Sequence, residues 1–337
     1  MKSLKKENLV EVLQRWTTEG SVVVPTRTPQ GDILFDTFDP KTLALDCGKV
    51  PLPPKSVCFP QHETTFAVKD GAYAPGVSAP KVVLFGLRAC DLMGLRQSHA
   101  FMTRDRDDVY FSSRRDNVLT AVLACPGRQN ATCFCTTTRS GPWAEAGFDV
   151  QLYDVGDSFL VQAGTPAGER LVAGELFRNL DAKAAEERLR EFRRRATDDV
   201  AKVPAVEQAI ARLKDGAVKD EVWETFGKKC IVCGGCTFVC PTCTCFNVTD
   251  HVASPGNGIR FRSWDACLFA GFTRETSGHN PRPTQGTRLQ RRHEHKLRHF
   301  HAGDVREGLC GCVGCGRCSD YCPVHIGTLE VVKAIVG

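Results

Sequence analysis

The feature that most constrains this chain is a run of four cysteines that occurs twice. The cysteines of the first run are Cys230, Cys233, Cys236 and Cys240. Those of the second run are Cys312, Cys315, Cys318 and Cys322. In both runs proline follows the fourth cysteine, so the pattern C-x2-C-x2-C-x3-C-P appears twice. This spacing is typical of the ferredoxin-type run that binds a [4Fe–4S] cluster.

The spacing has a physical reason. A cubane has four iron corners, and three cysteines at steps of three wrap a short loop around three of them. The fourth cysteine begins the next helical turn, and its proline sets the direction of that turn. In modules with two clusters the fourth cysteine usually ligates the other cluster. We therefore assign Cys322 to the cluster of the first run and Cys240 to that of the second.

Structural zinc is the alternative metal, and it commonly uses two C-x2-4-C pairs. Here each run has three closely spaced cysteines and a fourth with proline, which favours iron and sulfide. The rival function is a zinc-stabilised module that binds a partner or nucleic acid, and its support is the basic stretch 288–301. Zinc without acid-labile sulfide would establish that rival.

Length and composition set the broad class. A chain of 337 residues with 42% hydrophobic residues accommodates two or three domains. Its net charge of +5 is too mild for a dedicated nucleic-acid binder. The first ten residues do not form a secretory signal, and no apolar run is long enough for a membrane span. Eighteen cysteines in a chain that is neither small nor secreted indicate metal or redox use.

The periodicity of the chain predicts an α+β fold. We expect a mixed α/β domain over 1–170, a helical linker region over 171–224 and a helical, ferredoxin-like dicluster domain over 225–337. Predicted elements of the first domain include a helix over 4–16, a buried strand in KVVLFGL followed by a helix, and a strand in NVLTAVLAC. The segments DVQLYDVG and SFLVQAG predict a hairpin.

A third group of cysteines lies in the first half of the chain. Cys90 and Cys125 each follow a predicted strand, and Cys133 and Cys135 lie in the loop after Cys125. The carboxyl ends of strands are where an α/β sheet places its ligands. Cys90 and Cys125 could instead be small buried residues, but that does not explain the C-x-C loop. We predict a third [4Fe–4S] cluster, with zinc as the lesser alternative.

Longer segments of sequence carry a family resemblance. They are GLRACDL, YFSSRRDNVL, CFC, GPWAEAGFD, CPTCTC, WDAC, NPR, RLQRRHEHK and CVGCGRCSDYCP. Together they resemble the iron–sulfur subunit of anaerobic sulfite reductase and, equally, the beta subunit of cytosolic sulfhydrogenases. The resemblance implies a cytoplasmic electron-transfer subunit beside a flavin subunit that exchanges electrons with NAD(P)H. A separate catalytic subunit would carry siroheme or nickel–iron chemistry, and the sequence does not decide between these two.

Several cysteines stay outside these assignments. Cys243, Cys245 and Cys267 could form a further metal site, but packing next to a cluster is the favoured interpretation. Cys310 could compete with Cys312 for one iron, although the run spacing favours Cys312. The two remaining cysteines, Cys47 and Cys58, have no partner at metal spacing and are predicted to be structural.

The basic stretch before the second run has two features of interest. Arg288, Arg292 and Lys296 share one helix face, which we interpret as balancing cluster charge or docking a partner. His295 and His299 are four residues apart but lack the sequence context of a zinc protease. The chain has no G-x-G-x-x-G, no P-loop and no nucleophile–base motif, so it shows no substrate site of its own and its status as an enzyme is left open.

Overall fold

The computed structural model describes residues 1–200, 202–299 and 311–337. Its strands are β1 Lys2–Lys5, β2 Ser21–Arg27, β3 Ile33–Thr37, β4 His62–Lys69, β5 Ala72–Pro75, β6 Val82–Leu87, β7 Val118–Leu123, β8 Val150–Asp154, β9 Ser158–Ala163, β10 Arg178–Asn179, β11 Phe246–Ser254 and β12 Asn257–Trp264. Its α-helices are α1 Leu9–Trp16, α2 Ala89–Met102, α3 Val109–Asp116, α4 Pro166–Leu171, α5 Ala182–Asp199, α6 Pro204–Lys214, α7 Asp220–Lys229, α8 Gly235–Phe238, α9 Gln285–Glu294, α10 Arg317–Asp320 and α11 Thr328–Val336. The predicted α+β fold class is confirmed.

The larger sheet has eight strands in the order β10-β1-β9-β8-β7-β6-β2-β3. Its centre is parallel, because β6 pairs in parallel with both β2 and β7, and β7 pairs in parallel with β8. Strand β6 is buried along its whole length, as its uninterrupted apolar run Val-Val-Leu-Phe-Gly-Leu predicts. Strands β8 and β9 form the predicted antiparallel hairpin.

Helices cover both faces of this sheet. Helix α1 packs Val12, Leu13 and Trp16 against one face, together with Phe85 of β6. Leu84 points to the opposite face and packs with α2 and α3. Helix α5 covers the same opposite face farther along, where Phe192 contacts Tyr153. The carboxyl ends of the parallel strands are therefore held between two packed layers.

The smaller sheet is antiparallel, with the order β11-β12-β4-β5. Strand β12 pairs with β4, although the two strands are separated by about 190 residues of sequence. A buried charge network reinforces this pairing: Arg262 contacts both Glu63 and Asp108, and Arg114 also contacts Glu63. This sheet ties the two halves of the chain together. The three-part domain division stays a prediction.

The second hydrophobic core lies in the C-terminal half. It is built from α6, α7, α9 and α11, with Trp223, Leu289 and Val332 among its buried residues. Phe134, which lies between the predicted ligands Cys133 and Cys135, also packs into this core and is 1% exposed. The cysteine loop of the first half is therefore anchored in the dicluster half.

Two local predictions differ from the structure. The predicted helix over 4–16 begins later, because Lys2–Lys5 forms a strand that pairs with β9 and β10. Pairing with a sheet edge overrides the helical spacing of Leu4. The β11–β12 hairpin over Phe246–Trp264 has no counterpart among the predicted strands, and its turn lies at Pro255-Gly256. None of the described helices is both long and apolar enough to cross a bilayer.

Candidate functional site

The four cysteines assigned to the first cluster line one pocket. Cys230 follows the end of α7, Cys236 lies in α8, and Cys322 comes from the end of the second run. Cys233 completes the lining. Two donors reach these thiols: Gln285 Nε2 donates to Cys230 Sγ at 3.1 Å, and the Ile326 amide donates to Cys322 Sγ at 3.3 Å. The pocket thus combines three cysteines of the first run with the fourth of the second, which is the crossed arrangement expected from the motif.

The second set has the same local geometry. Gly316 takes a left-handed φ of +74°, as Gly234 does at +71°, and each glycine starts a short helix that carries the third cysteine of its run. The Thr328 amide donates to Cys318 Sγ at 3.4 Å. Burial raises the pKa of the Cys315 thiol, and the nearby thiols of Cys240 and Cys318 raise it further. Cys240 therefore lies beside the second run, as the crossed assignment requires.

The structure brings Cys125, Cys133 and Cys135 together, whereas Cys90 lies at the start of the neighbouring strand–helix unit and packs with Cys315. Cys125 follows β7, Cys90 lies in the first turn of α2 after β6, and these two strands are adjacent in the sheet. Burial raises the pKa of the Cys135 thiol, and the neighbouring Cys125 and Cys133 raise it further. Gly141 lies against this group, since a Cβ there would come within 3.1 Å of Cys135 Sγ.

The third set is in direct contact with the second run. The Phe134 amide donates to the Gly314 carbonyl at 2.8 Å. Cys90 packs with Val313 and Cys315 in a small buried cluster. Lys49 bridges the two sets, because its Nζ lies 3.7 Å from Cys133 Sγ and also donates to the Cys315 carbonyl.

Arg292 joins the second set to the first. Its guanidinium donates to the Cys236 carbonyl at 3.0 Å and to Thr328 Oγ1 at 3.3 Å. Burial lowers the pKa of this guanidinium, but the neighbouring thiolates of Cys236 and Cys318 outweigh burial and raise it. Contacts therefore link the three sets in the order first-half set, second run, first run.

The charges around these thiols indicate what the sets can hold. Arg292, Lys296 and Lys55 are all buried, and none of them forms an ion pair with a carboxylate in the described part of the chain. The Nε atom of Arg292 is buried without a hydrogen-bond partner among the described residues, and Arg292 lines the pocket of the first set. Buried cations need nearby negative charge. Thiolates that ligate metal supply such charge, so the surroundings fit anionic clusters.

The thiols raise the pKa of both Lys55 and Lys296, but the net shift is downward for Lys55 and upward for Lys296. Burial lowers the pKa of Lys55 to about 8, even though Cys243 and Cys240 partly oppose the change. For Lys296, burial also lowers the pKa, but Cys240 and Cys243 outweigh it and raise the pKa overall. Lys296 donates to Thr242 Oγ1 at 2.7 Å, which places its charge beside the loop that carries Cys240.

The helix face predicted from Arg288, Arg292 and Lys296 points inward. All three side chains are buried, with exposed fractions of 7%, 2% and 4%. The face is therefore not placed to dock a partner. Arg292 and Lys296 lie beside cysteines of the runs, which fits the balancing of cluster charge, whereas Arg288 donates to the carbonyls of Arg282 and Pro283. The face continues from α9 into a π-helical segment over His295–His299.

The remaining cysteines have distinct surroundings. Cys243, Cys245 and Cys267 line a separate pocket with a cavity volume of about 280 Å³, and Cys245 and Cys267 hydrogen-bond each other. Residues 1–200, 202–299 and 311–337 contain no three Cys, His, Asp or Glu side chains arranged to hold one metal ion. That finding concerns single ions, whereas a cubane distributes its cysteines over four irons. Cys58 is buried in a hydrophobic core, and Cys310 lies outside the described residues.

Sequence reasoning missed the most deeply buried cation of the site. Arg317 lies in the second run between Cys315 and Cys318 and is fully buried. It donates to Asp91 Oδ1 at 2.6 Å and to the Val50 carbonyl at 2.9 Å. Asp91 also accepts from the Arg88 amide at the start of α2, so it caps this helix as well as pairing with Arg317. The adjacency of Asp91 to Cys90 was the one available signal of a second role.

Comparisons with known proteins agree with this geometry. Residues 229–326 match the family described as a 4Fe-4S dicluster domain. Over 338 aligned residues the chain is 29% identical to sulfhydrogenase 2 subunit beta of Pyrococcus furiosus, covering 98% of this chain and 97% of that protein. No solved structure matches the chain. The resemblance to sulfhydrogenase beta subunits is confirmed, and the chain contains a 4Fe-4S dicluster domain that binds iron–sulfur clusters.

Proposed function

We propose that this chain is the iron–sulfur electron-transfer subunit of a cytoplasmic, anaerobic oxidoreductase complex, and that it holds three [4Fe–4S] clusters. Two findings support the general class: the dicluster domain at 229–326 and the similarity to a sulfhydrogenase beta subunit over nearly the whole chain. The proposed ligands are the three cysteine sets described above, with Cys240 and Cys322 exchanged between the two runs.

The observation that carries this proposal is that contacts link the three sets in this order. Lys49 contacts residues of both the first-half set and the second run, and Arg292 lies beside cysteines of both runs. A relay needs its centres close together and shielded from water between entry and exit. Phe134, buried in the C-terminal core, closes the junction between the first-half set and the dicluster domain.

The chain's own residues hold and tune the sites. Each cluster, when bound, supplies one-electron oxidation and reduction. Amide and amide-side-chain donors point at the thiols of Cys230, Cys318 and Cys322. Such donors and the nearby buried cations stabilise the reduced form, which is the more negative one, and so raise the potential.

The partners in this proposal are a flavin subunit that exchanges electrons with NAD(P)H and a catalytic redox subunit. Support for partners comes from the relative, whose name is that of one subunit of a larger protein. The lack of a nucleotide-binding motif in the sequence assigns nicotinamide chemistry to another chain. The domain division in this proposal is 1–170, 171–224 and 225–337, with the first domain facing one partner and the last leading to the other.

Metal analysis tests the number of clusters. Protein reconstituted without oxygen should contain about twelve irons and twelve sulfides, since three cubanes hold four of each. A reproducible value near eight would remove the first-half cluster and keep the dicluster pair. Zinc without acid-labile sulfide would overturn the proposal altogether.

Single substitutions test the ligand sets. Cys135→Ser should lower the iron content by about a third while leaving the signals of the dicluster pair intact. Cys322→Ser should perturb the cluster of Cys230, Cys233 and Cys236, because the arrangement is crossed. Cys58→Ala is the matched control and should keep all the iron. Damage from Cys322→Ser that is confined to the second run would show that each run binds its own cluster.

A further inference from the structure

The loops that carry the first three cysteines of each run share two left-handed backbone positions but differ in the side chain at one of them. The residue before the second cysteine is left-handed in both, with φ +58° at Val232 and +60° at Gly314. The residue after that cysteine is also left-handed and is glycine in both, at 234 and 316. The loop geometry therefore requires a positive φ at both positions, and glycine is the residue that adopts it without strain. Before its second cysteine the first loop has the β-branched Val232, which is an outlier at a positive φ.

In the second loop the reason for glycine is visible. A Cβ at Gly314 would lie 2.6 Å from the Phe134 carbonyl oxygen and 2.7 Å from Thr138 Oγ1. At Gly316 it would lie 2.2 Å from Thr132 Oγ1. The second loop is thus covered by the segment 132–138, which carries the cysteines of another proposed redox centre.

In the first loop Gly234, the equivalent of Gly316, also lies against a neighbour, because a Cβ there would come within 2.7 Å of the Phe269 ring. The surface around Val232, the equivalent of Gly314, is open within the described part of the chain. Ile231 is 59% exposed, Val232 is 38% exposed, and Cys233 is exposed as well. Tyr321 is 48% exposed and lines the pocket of the first set together with Ile231 and Pro323. We define the first-loop surface as Ile231, Val232, Cys233, Tyr321 and Pro323.

Val232 adopts an unfavourable conformation there and gains little burial in return. Strained residues persist where the surrounding structure imposes their conformation, and they cluster at functional sites. Exposed apolar side chains grouped around a redox ligand are typical of a contact surface. The helix that leads into the loop ends with Lys228 and Lys229, which are exposed. The surface therefore has an apolar centre and a basic flank.

We propose that the first-loop surface docks a redox partner whose contact face is apolar at its centre and acidic at its edge, with its electron-carrying group beneath. The second loop supplies the precedent, because there the equivalent face is covered by the loop of a neighbouring redox site. The partner would cover Ile231 and Val232 as segment 132–138 covers Gly314. This inference rests on the proposed relay function and assigns one end of the relay to the first run.

Electron exchange with the partner tests the surface. The protein with reconstituted clusters is mixed, without oxygen, with the flavin subunit isolated from the native complex, and cluster reduction is followed by stopped flow. Ile231→Ser and Val232→Gly, singly and together, should slow the bimolecular rate at least tenfold for the pair. Val232→Gly relieves the left-handed strain, so it should not impair folding. Val252→Ser, at an exposed apolar position of β11, is the control and should keep the native rate.

Charge gives a second readout. Lys228→Glu with Lys229→Glu should slow the reaction at low ionic strength, and the difference from native protein should shrink as salt is added. If both sets of variants exchange electrons at the native rate with the flavin subunit and with the catalytic subunit while keeping all clusters, the docking proposal is wrong and the relay function stands. Loss of self-association without any change in rate would assign the surface to a second copy and would equally overturn the proposal. If the native protein holds no clusters, the proposed function itself fails.

Discussion

The two cysteine runs have the same spacing and share two left-handed loop positions, yet they lie in different surroundings. The second run is enclosed by the first half of the chain: Arg317 pairs with Asp91, and Gly314 lies against Phe134. The first run is backed by Arg292, which binds carbonyl and hydroxyl oxygens, and its loop is open on the other side. One local motif thus serves as an internal junction in one place and as a surface in the other.

Substitution of the buried arginine beside each run is expected to give the largest difference in unfolding free energy between the two runs. Arg317→Met would leave Asp91 as an unpaired buried charge, and breaking a buried pair in this way costs about 3–5 kcal/mol of unfolding free energy. Arg292→Met leaves no carboxylate behind, so the expected loss is about 1–2 kcal/mol. Anaerobic urea unfolding measures both.

The double variant Arg317→Met with Asp91→Leu is the control for the first effect. It removes both charges and should recover part of the lost stability. Equal losses in the two single variants, with no recovery in the double variant, would show that the carboxylate does not distinguish the two runs.

Substitutions at the left-handed position before the second cysteine are expected to change the unfolding free energy by smaller amounts. The changes should have opposite signs in the two loops. Gly314→Ala places a Cβ in a left-handed residue and within 2.6 Å of backbone, so we expect a loss of about 3 kcal/mol. Val232→Gly removes the strain of a β-branched residue, and the greater freedom of glycine in the unfolded chain offsets part of the gain. A net stabilisation of about 0.5 kcal/mol is expected from these opposing terms. Thermal unfolding of matched apo and reconstituted samples compares the two variants. Destabilisation by Val232→Gly would mean that Val232 is packed and not strained.

A further prediction concerns the pH dependence of stability and the support of the first run. Burial lowers the pKa of His293 to about 3, and the adjacent Arg292 charge lowers it in the same direction. The unfolded chain binds the proton near pH 6.5, so stability is complete above that pH and falls as the solution becomes more acidic. At pH 5.5 the loss should be about 1.4 kcal/mol.

Substitution of His293 separates its contribution to the pH dependence from that of other groups. His293→Gln should flatten the dependence between pH 7.5 and 5.5, as measured by urea unfolding without oxygen. His251→Gln, at an exposed position of β11, is the control and should keep the native slope. An unchanged slope in His293→Gln would assign the acid sensitivity to other groups.

The sequence alone determined the features that depend on short-range chemistry. Cysteine spacing identified the two runs, because three ligands at steps of three are a property of one loop. The crossed assignment of Cys240 and Cys322 came from the same motif. The strand–loop–helix unit that carries Cys90 and the strand before Cys125 were recognisable, since a buried strand followed by helical spacing is a local pattern. The prediction that Cys90, Cys125, Cys133 and Cys135 converge rests on the ends of neighbouring strands, and the structure places Cys125, Cys133 and Cys135 beside one another.

Only the tertiary structure decided what surrounds those cysteines. Lys55 donates to the Cys243 carbonyl across 188 residues of sequence, and Arg317 reaches Asp91 across 226. The pairing of β12 with β4 and the burial of Phe134 in the C-terminal core are equally distant along the chain. No local periodicity encodes such contacts, because they depend on which surfaces meet after the elements have formed. The same reason explains why two runs with one spacing became a buried junction and an open surface.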